Sequence, residues 1–306
     1  MKRYLIAVAL GVSGCDAIPP LPAEADVQPQ TIATFASRGE GIVFDSDSTG
    51  FFSDLFAGVI YRFTVDGRLT EWARSRQPNG HRILSDGTHL VADRAEHAVL
   101  RFDSTGRRLT PLTESAGVPL VAPNDLTLDT AGGAYFTDLR DVTASGGTVH
   151  YIDRRGQVST VATALDAPNG IVLDPHGQWL YVTESLSGRV ARFPVEGPGR
   201  LGPVETFAMI TEHLNGTAPL RVLDGMTVDQ DGRLYIAYYR VGRIYVLDQT
   251  GAIVRRYDAG QRLVSNVAFG GPGLRYLYAV GASDDSLGMV TRLDLAPVRG
   301  WRARVQ

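Results

Sequence analysis

Asn169-Gly170-Ile171-Val172-Leu173-Asp174-Pro175-His176-Gly177, then Leu180-Tyr181-Val182-Thr183-Glu184, is the clearest copy of a phrase that runs down this chain. It opens on a polar residue, enters a short alternating strand, reverses at an Asp/Gly turn and returns through a second apolar strand. A third strand, Arg189 to Val195, ends at the turn Glu196-Gly197. The phrase restarts at Glu40, Asn79, Asn124, Asn169, Asp224 and Asn266. Its first turns include Ser85-Asp86-Gly87, Asp129–Gly133 and Asp229–Gly232, and its second turns Asp66-Gly67, Thr105-Gly106 and Thr250-Gly251. Glycine and aspartate suit tight hairpins, where positive φ penalises a β-carbon.

Between the turns the strands are rich in Val, Ile, Leu, Tyr, Phe and Thr, as in Tyr135-Phe136-Thr137 and Leu234-Tyr235-Ile236-Ala237. No segment carries a sustained 3.6-residue apolar stripe. Six units of roughly 40 to 55 residues, each about four strands, predict an all-β, six-bladed β-propeller with four-stranded blades over residues 31–306. A ring must close or leave an open edge. The strand-like Thr31 to Ala36 and the terminal Arg302 to Gln306 compete for that role.

Composition supports a folded chain that turns often: 306 residues, 44% hydrophobic, with 34 glycines and 16 prolines. A net charge of −3 offers no basic surface for nucleic acid. The only lysine is Lys2 and the only cysteine Cys15, which excludes Schiff-base, thiolate, disulfide and Cys-type zinc chemistry from the body of the protein.

The N-terminus reads as an address. Met1-Lys2-Arg3 is basic, and Tyr4 to Val12 has the length of a signal-peptide apolar core, too short to span a bilayer. Val12-Ser13-Gly14-Cys15 resembles the lipobox of bacterial lipoproteins. That resemblance implies cleavage after residue 14, lipid on Cys15, and an exported protein held on the periplasmic side of the envelope by its lipid alone. Residues 15–30, rich in Pro and Ala, read as a tether.

Repetition also places the first residue of every phrase near the axis, where an apolar residue would be the bland choice. Glu40, Asn79, Asn124, Asn169, Asp224 and Asn266 stand there instead. Carboxylates and amide oxygens converging on one point make a hard, oxygen-rich site suited to calcium, with magnesium, manganese or zinc as weaker options. Any single Asn-Gly or Asp-Gly pair is a turn former in its own right. The signal is their common register, and Glu40 is the least turn-like of the set.

The motifs Gly39-Glu40-Gly41, Ala122-Pro123-Asn124-Asp125-Leu126-Thr127-Leu128-Asp129, Tyr135-Phe136-Thr137-Asp138, Ala167-Pro168-Asn169-Gly170, Leu223-Asp224-Gly225-Met226 and Asn266-Val267-Ala268-Phe269-Gly270-Gly271, in that order, resemble the senescence marker protein / regucalcin / gluconolactonase family. The resemblance runs from about Phe35 to the C-terminus. It implies that Glu40, Asn169 and Asp224 bind a divalent metal and that Asn124 joins them or contacts substrate. One departure is Glu40-Gly41-Ile42, where the family commonly has Glu-Gly-Pro.

Other patterns carry less. Asp45-Ser46-Asp47-Ser48-Thr49-Gly50 starts like an EF-hand loop, but the twelfth position is Phe56 rather than a bidentate Glu, so it reads as a turn. The histidines form no His-Glu-x-x-His pattern, and no Gly-x-Ser-x-Gly elbow is present. His81, after Asn79-Gly80, is a candidate pocket residue or a packed strand histidine, and Asn79 is its companion as a substrate contact. Arg82 is expected on the opposite side. The expected reaction is metal-dependent hydrolysis of a small ester, above all a sugar-type lactone. Asp224 would activate water and Asn124 would position substrate, in a monomer whose partner is a small molecule. The rivals are a binding propeller with structural calcium and an organophosphate-type hydrolase. Loops Leu139–Gly147 and Thr211–Val222 are expected to choose the substrate.

Overall fold

The computed structural model describes residues 18–141, 143–211, 222–284 and 287–302. The signal segment and Cys15 lie outside the described residues, as do most of the loop Thr211–Val222 and the terminal residues 303–306.

Six antiparallel sheets surround a central channel, each ordered from its inner strand outward. Inner strands are Gly39–Phe44, Pro78–Ile83, Pro123–Leu128, Pro168–Leu173, Leu223–Val228 and Leu263–Gly270. Each packs on the inner strand of the next blade, and the sixth packs on the first, so the ring is complete. The expected propeller is the observed fold. The second blade departs from four strands. Its sheet holds Pro78–Ile83, His89–Asp93 and Ala98–Phe102, and its outer edge makes only isolated bridges such as Val99 to Leu112. Pro111, beside Leu112, has no N–H to extend that edge.

Closure comes from the N-terminal side. Gln30–Phe35 pairs antiparallel with Gly288–Asp294 and supplies the outermost strand of the sixth blade. The core lies between blades. Phe35, Phe44, Phe52, Phe63 and Tyr278 fill the seam between the first and sixth, and Tyr135, Tyr151, Ile171, Val182 and Phe193 that between the third and fourth. Among the described residues no strand ladder joins neighbouring blades, so this apolar burial, about 1.5–3 kcal/mol per large side chain, holds the ring together.

The expected tether is not free over its described part. Val27 is buried in the core of the fifth and sixth blades. Arg255 Nε and Tyr257 Oη donate to the Pro22 carbonyl at 3.0 and 2.9 Å, and Arg233 Nη1 to that of Pro19 at 2.8 Å. Composition alone misses this, because proline backbone carbonyls remain good acceptors for arginine and tyrosine side chains.

Candidate functional site

Every inner strand carries a β-bulge just past its entry. On the third blade Pro123 pairs with Asp138 and the ladder resumes at Leu126 with Phe136, so Asn124 and Asp125 together oppose one residue. The fourth, fifth and second blades repeat this at Asn169-Gly170, Asp224-Gly225 and Asn79-Gly80. Such a bulge re-aims the side chains beyond it.

Close packing between blades fixes which residues are equivalent. A Cβ built on Gly41 would lie 2.0 Å from the Asn79 carbonyl oxygen, one on Gly80 2.6 Å from that of Asn124, and one on Gly170 2.4 Å from that of Asp224. One on Gly225 would meet the Ser265 carbonyl and the Asn266 side chain. The ring of heads is therefore Glu40, Asn79, Asn124, Asn169, Asp224 and Ser265. Asn266 is not the sixth head. It stands one step deeper, in register with Asp125, because the sixth bulge falls between Val264 and Asn266. There the Asn266 amide donates to Asp125 across the channel at 3.3 Å. Arg82 Nη2 lies 3.7 Å from the other Asp125 oxygen.

His81 is not brought to the mouth. It is fully buried, its Nε2 lies 2.8 Å from His89 Nδ1, and its ring packs against Phe51 and Trp72. The extra residue in the second bulge inverts the side-chain alternation, so His81 faces the seam with the first blade and Arg82 faces the channel. Asn79 is buried in the ring. The expected turn at Asp229–Gly232 is an Asx turn: Asp229 accepts backbone N–H groups of Asp231 and Arg233 at 3.0 and 2.9 Å.

Glu40, Asn124, Asn169 and Asp224 are each at most 7% exposed. Asn169 hydrogen-bonds Asp224, and its amide also donates to Ser185 Oγ at 3.1 Å. Its Oδ1 is buried with no hydrogen-bond partner among the described residues. Burial raises the Glu40 carboxyl to about 7; Arg38, Arg94 and Ser265 pull it down while Asp125 pushes it up. Burial, then Glu40, drives the Asp224 carboxyl well above its ordinary range. Two interacting buried carboxyls beside an orphaned amide oxygen form a donor set that fits a hard divalent cation. No cluster of three His, Cys, Asp or Glu suited to a metal occurs among the described residues. The fit rests on two carboxylates plus amide oxygens.

Two arginines escaped the sequence reading. Arg38 Nε lies 3.7 Å from Glu40, its Nη1 donates to Tyr239 Oη at 3.1 Å, and its guanidinium rests on the rings of Phe56 and Tyr239. Arg94 follows the second strand of the second blade, close enough to act on Glu40. Nothing in the repeat marks either residue.

Residues 38–283 match the family model described as SMP-30/Gluconolactonase/LRE-like region. The chain belongs to that family. Pentonolactonase XacC of Haloferax volcanii is 34% identical over 265 residues, covering 85% of this chain and 86% of the relative. Lactonase drp35 of Staphylococcus haemolyticus is 28% identical over 236 residues, 74% of this chain and 69% of its own. Among solved folds of the family, a gluconolactonase from Xanthomonas campestris superposes with a TM-score of 0.75 at 22% identity, over 89% of this chain and 91% of its own. Regucalcin from Agrobacterium tumefaciens, described as a calcium-binding protein, gives 0.74 at 21% identity, over 90% and 99%.

Proposed function

We propose that the protein is a metal-dependent lactonase, with calcium as the best-suited ion. The observation that carries this reading is the buried set of Glu40, Asp224 and Asn169, with an unpaired amide oxygen, at the mouth of the channel. The relatives named lactonase and pentonolactonase support lactones as the substrate class.

Glu40, Asn169 and Asp224 would hold the ion, with Asn124, in the same register on the third blade, as fourth donor or substrate contact. When bound, a divalent cation supplies Lewis-acid polarisation of a carbonyl and keeps the two carboxyls ionised. Asp224, ionised, accepts a proton from the attacking water. Water oxygen bonds to the acyl carbon, the ring acyl–oxygen bond breaks, and the released alkoxide takes up a proton to give a hydroxy acid. Around the mouth, Phe56 and Tyr239 hold Arg38 in place by cation–π contact.

A lactone panel followed by pH-stat tests this. Chelation should abolish turnover and calcium restore it. Metal binding without turnover on any lactone or ester would leave a binding propeller instead.

We also propose that the N-terminus makes the protein a periplasmic, lipid-anchored monomer. Radiolabelled palmitate should enter the wild-type protein and not Cys15→Ser, and a wild type that stays unlabelled would refute the anchor.

A further inference from the structure

The wall of the mouth is built from two sets of equivalent positions, and charge on them is lopsided. In five blades the residue after the second strand donates its N–H to the carbonyl two places before the head. Leu55 donates to Arg38, Arg94 to Gln77, Leu139 to Ala122, Ser185 to Ala167 and Tyr239 to Val222. Among these ten residues only Arg38 and Arg94 are charged. They stand on adjacent blades, and both act on Glu40.

Most of their hydrogen-bonding capacity is unspent. Both Nε atoms are buried and without a hydrogen-bond partner among the described residues. Arg38 spends one nitrogen on Tyr239 and holds a long ion pair to Glu40. Arg94 makes no side-chain hydrogen bond or ion pair among the described residues. Its charge also reaches Asp141 at the rim, whose carboxylate Thr143 already satisfies at 2.7 and 2.6 Å. A buried donor left unpaired costs free energy that a bound acceptor would recover.

Charge in the inner ring points the same way. Glu40, Asp224 and Asp125 are offset there by Arg38, Arg94 and Arg82, so a divalent ion held by the first two acids leaves these six side chains and the ion net positive together. A neutral substrate has no use for that excess, whereas an anionic group would both neutralise it and fill the empty donors.

We propose that Arg38 and Arg94 form an anion-binding subsite, so that the preferred substrate carries a carboxylate or phosphate outside its lactone ring. This rests on the lactonase reading and adds a substrate class to it. The placement suits a group held to the side of the first and second blades, with the ring carbonyl toward the cation that Glu40, Asn169 and Asp224 would hold.

The test compares D-glucono-1,5-lactone, its 6-phosphate and D-glucaro-1,4-lactone, with calcium present. At least one anionic lactone should exceed the neutral one in kcat/KM by about tenfold or more. Raising salt from about 50 to about 500 mM should increase KM for the anionic substrate only. Arg94→Gln should lower the anionic-to-neutral ratio about tenfold, and Arg38→Gln should do the same, with calcium affinity measured alongside. Which anionic lactone responds separates carboxylate from phosphate. Equal rates on all three, or a ratio unmoved by either substitution, overturns the subsite. If no lactone is hydrolysed, calorimetry of succinate against 1,4-butanediol on the calcium-loaded protein decides independently. Binding of succinate that weakens in Arg94→Gln sustains the subsite while the hydrolytic reading falls, and indifference to the substitution refutes it.

Discussion

Two rings of buried acids circle the same end of this propeller, and they differ in what satisfies them. The outer ring closes the second strands: Asp54, Asp93, Asp138 and Glu184, each at most 3% exposed. Asp93 accepts the N–H groups of Arg76, Gln77 and Glu96 at 3.1, 2.9 and 2.8 Å. Asp138 accepts those of Val121 and Ala122 at 2.8 and 2.7 Å, and Glu184 takes the N–H of Asp166 and a bidentate Arg189. The inner ring, Glu40 and Asp224, has no backbone donors of that kind among the described residues and faces its own like charge. A buried acid saturated by backbone N–H groups clamps a loop, whereas one left short is waiting for a cation. Burial alone does not separate architecture from chemistry. Satisfaction does.

The largest test of that contrast is on activity. Asp224→Asn and Glu40→Gln should each lower kcat/KM by about a hundred- to a thousandfold and weaken calcium binding. Both should leave the β-rich circular dichroism intact and the metal-free melting temperature equal or higher, because each removes a buried repulsion. A variant that kept wild-type calcium affinity would remove that residue from the ligand set.

Asp138→Ala should do the reverse. It strands the buried N–H of Ala122 and the part-buried one of Val121, at a cost of about 2 kcal/mol, seen as a lower denaturation midpoint in urea, while calcium affinity of the folded fraction changes little. Loss of calcium binding without loss of stability would merge the two rings and break the comparison.

Titration sharpens it further. Glu40 binds its proton more tightly folded than unfolded, so this contribution is complete below about 4.5 and is lost as pH climbs through about 7. His89 runs the other way: burial lowers it to about 4, so its contribution is complete above 6.5 and lost as pH falls through about 4. Metal-free protein should therefore lose stability toward pH 7 by a component that Glu40→Gln abolishes, and the acid-side loss should persist in that variant. Thermal melts across pH check both slopes, and identical profiles for the two proteins would contradict the raised carboxyl.

What the sequence disclosed follows the same division. Period-two strands, Asp/Gly turns and recurring polar heads are local signals, and they placed the blades and five of six ring positions. The bulges were not visible, since a bulge is a relation between two strands. That is why Asn266 stands one step deeper than its place in the repeat implies, and why His81 is the packed strand histidine of its two readings while Arg82 takes the channel side. Asp138 sat in a family motif yet serves Val121 and Ala122. Arg38 meets Tyr239 only because the ring closes between residues 201 positions apart.

The smallest effect lies where the two rings touch. Thr137 stands beside Asp138 of the outer ring, yet its hydroxyl donates to the Asn169 carbonyl at 2.6 Å, across the seam into the inner ring. Ser53 does the same for Asn79 and Thr183 for Asp224, at 2.8 and 2.9 Å. Thr137→Val keeps the shape and the buried methyl but deletes that clasp, and should cost about 1 kcal/mol of stability. If the clasp also holds Asn169 in its ligating position, calcium affinity should fall a few-fold along with it, while Thr183→Val should act through Asp224 instead. Calorimetric titration with calcium on both variants decides the point. Lost stability at unchanged affinity would mean that the hydroxyls only fasten one blade to the next, and that the position of the ligands is set by the bulges alone.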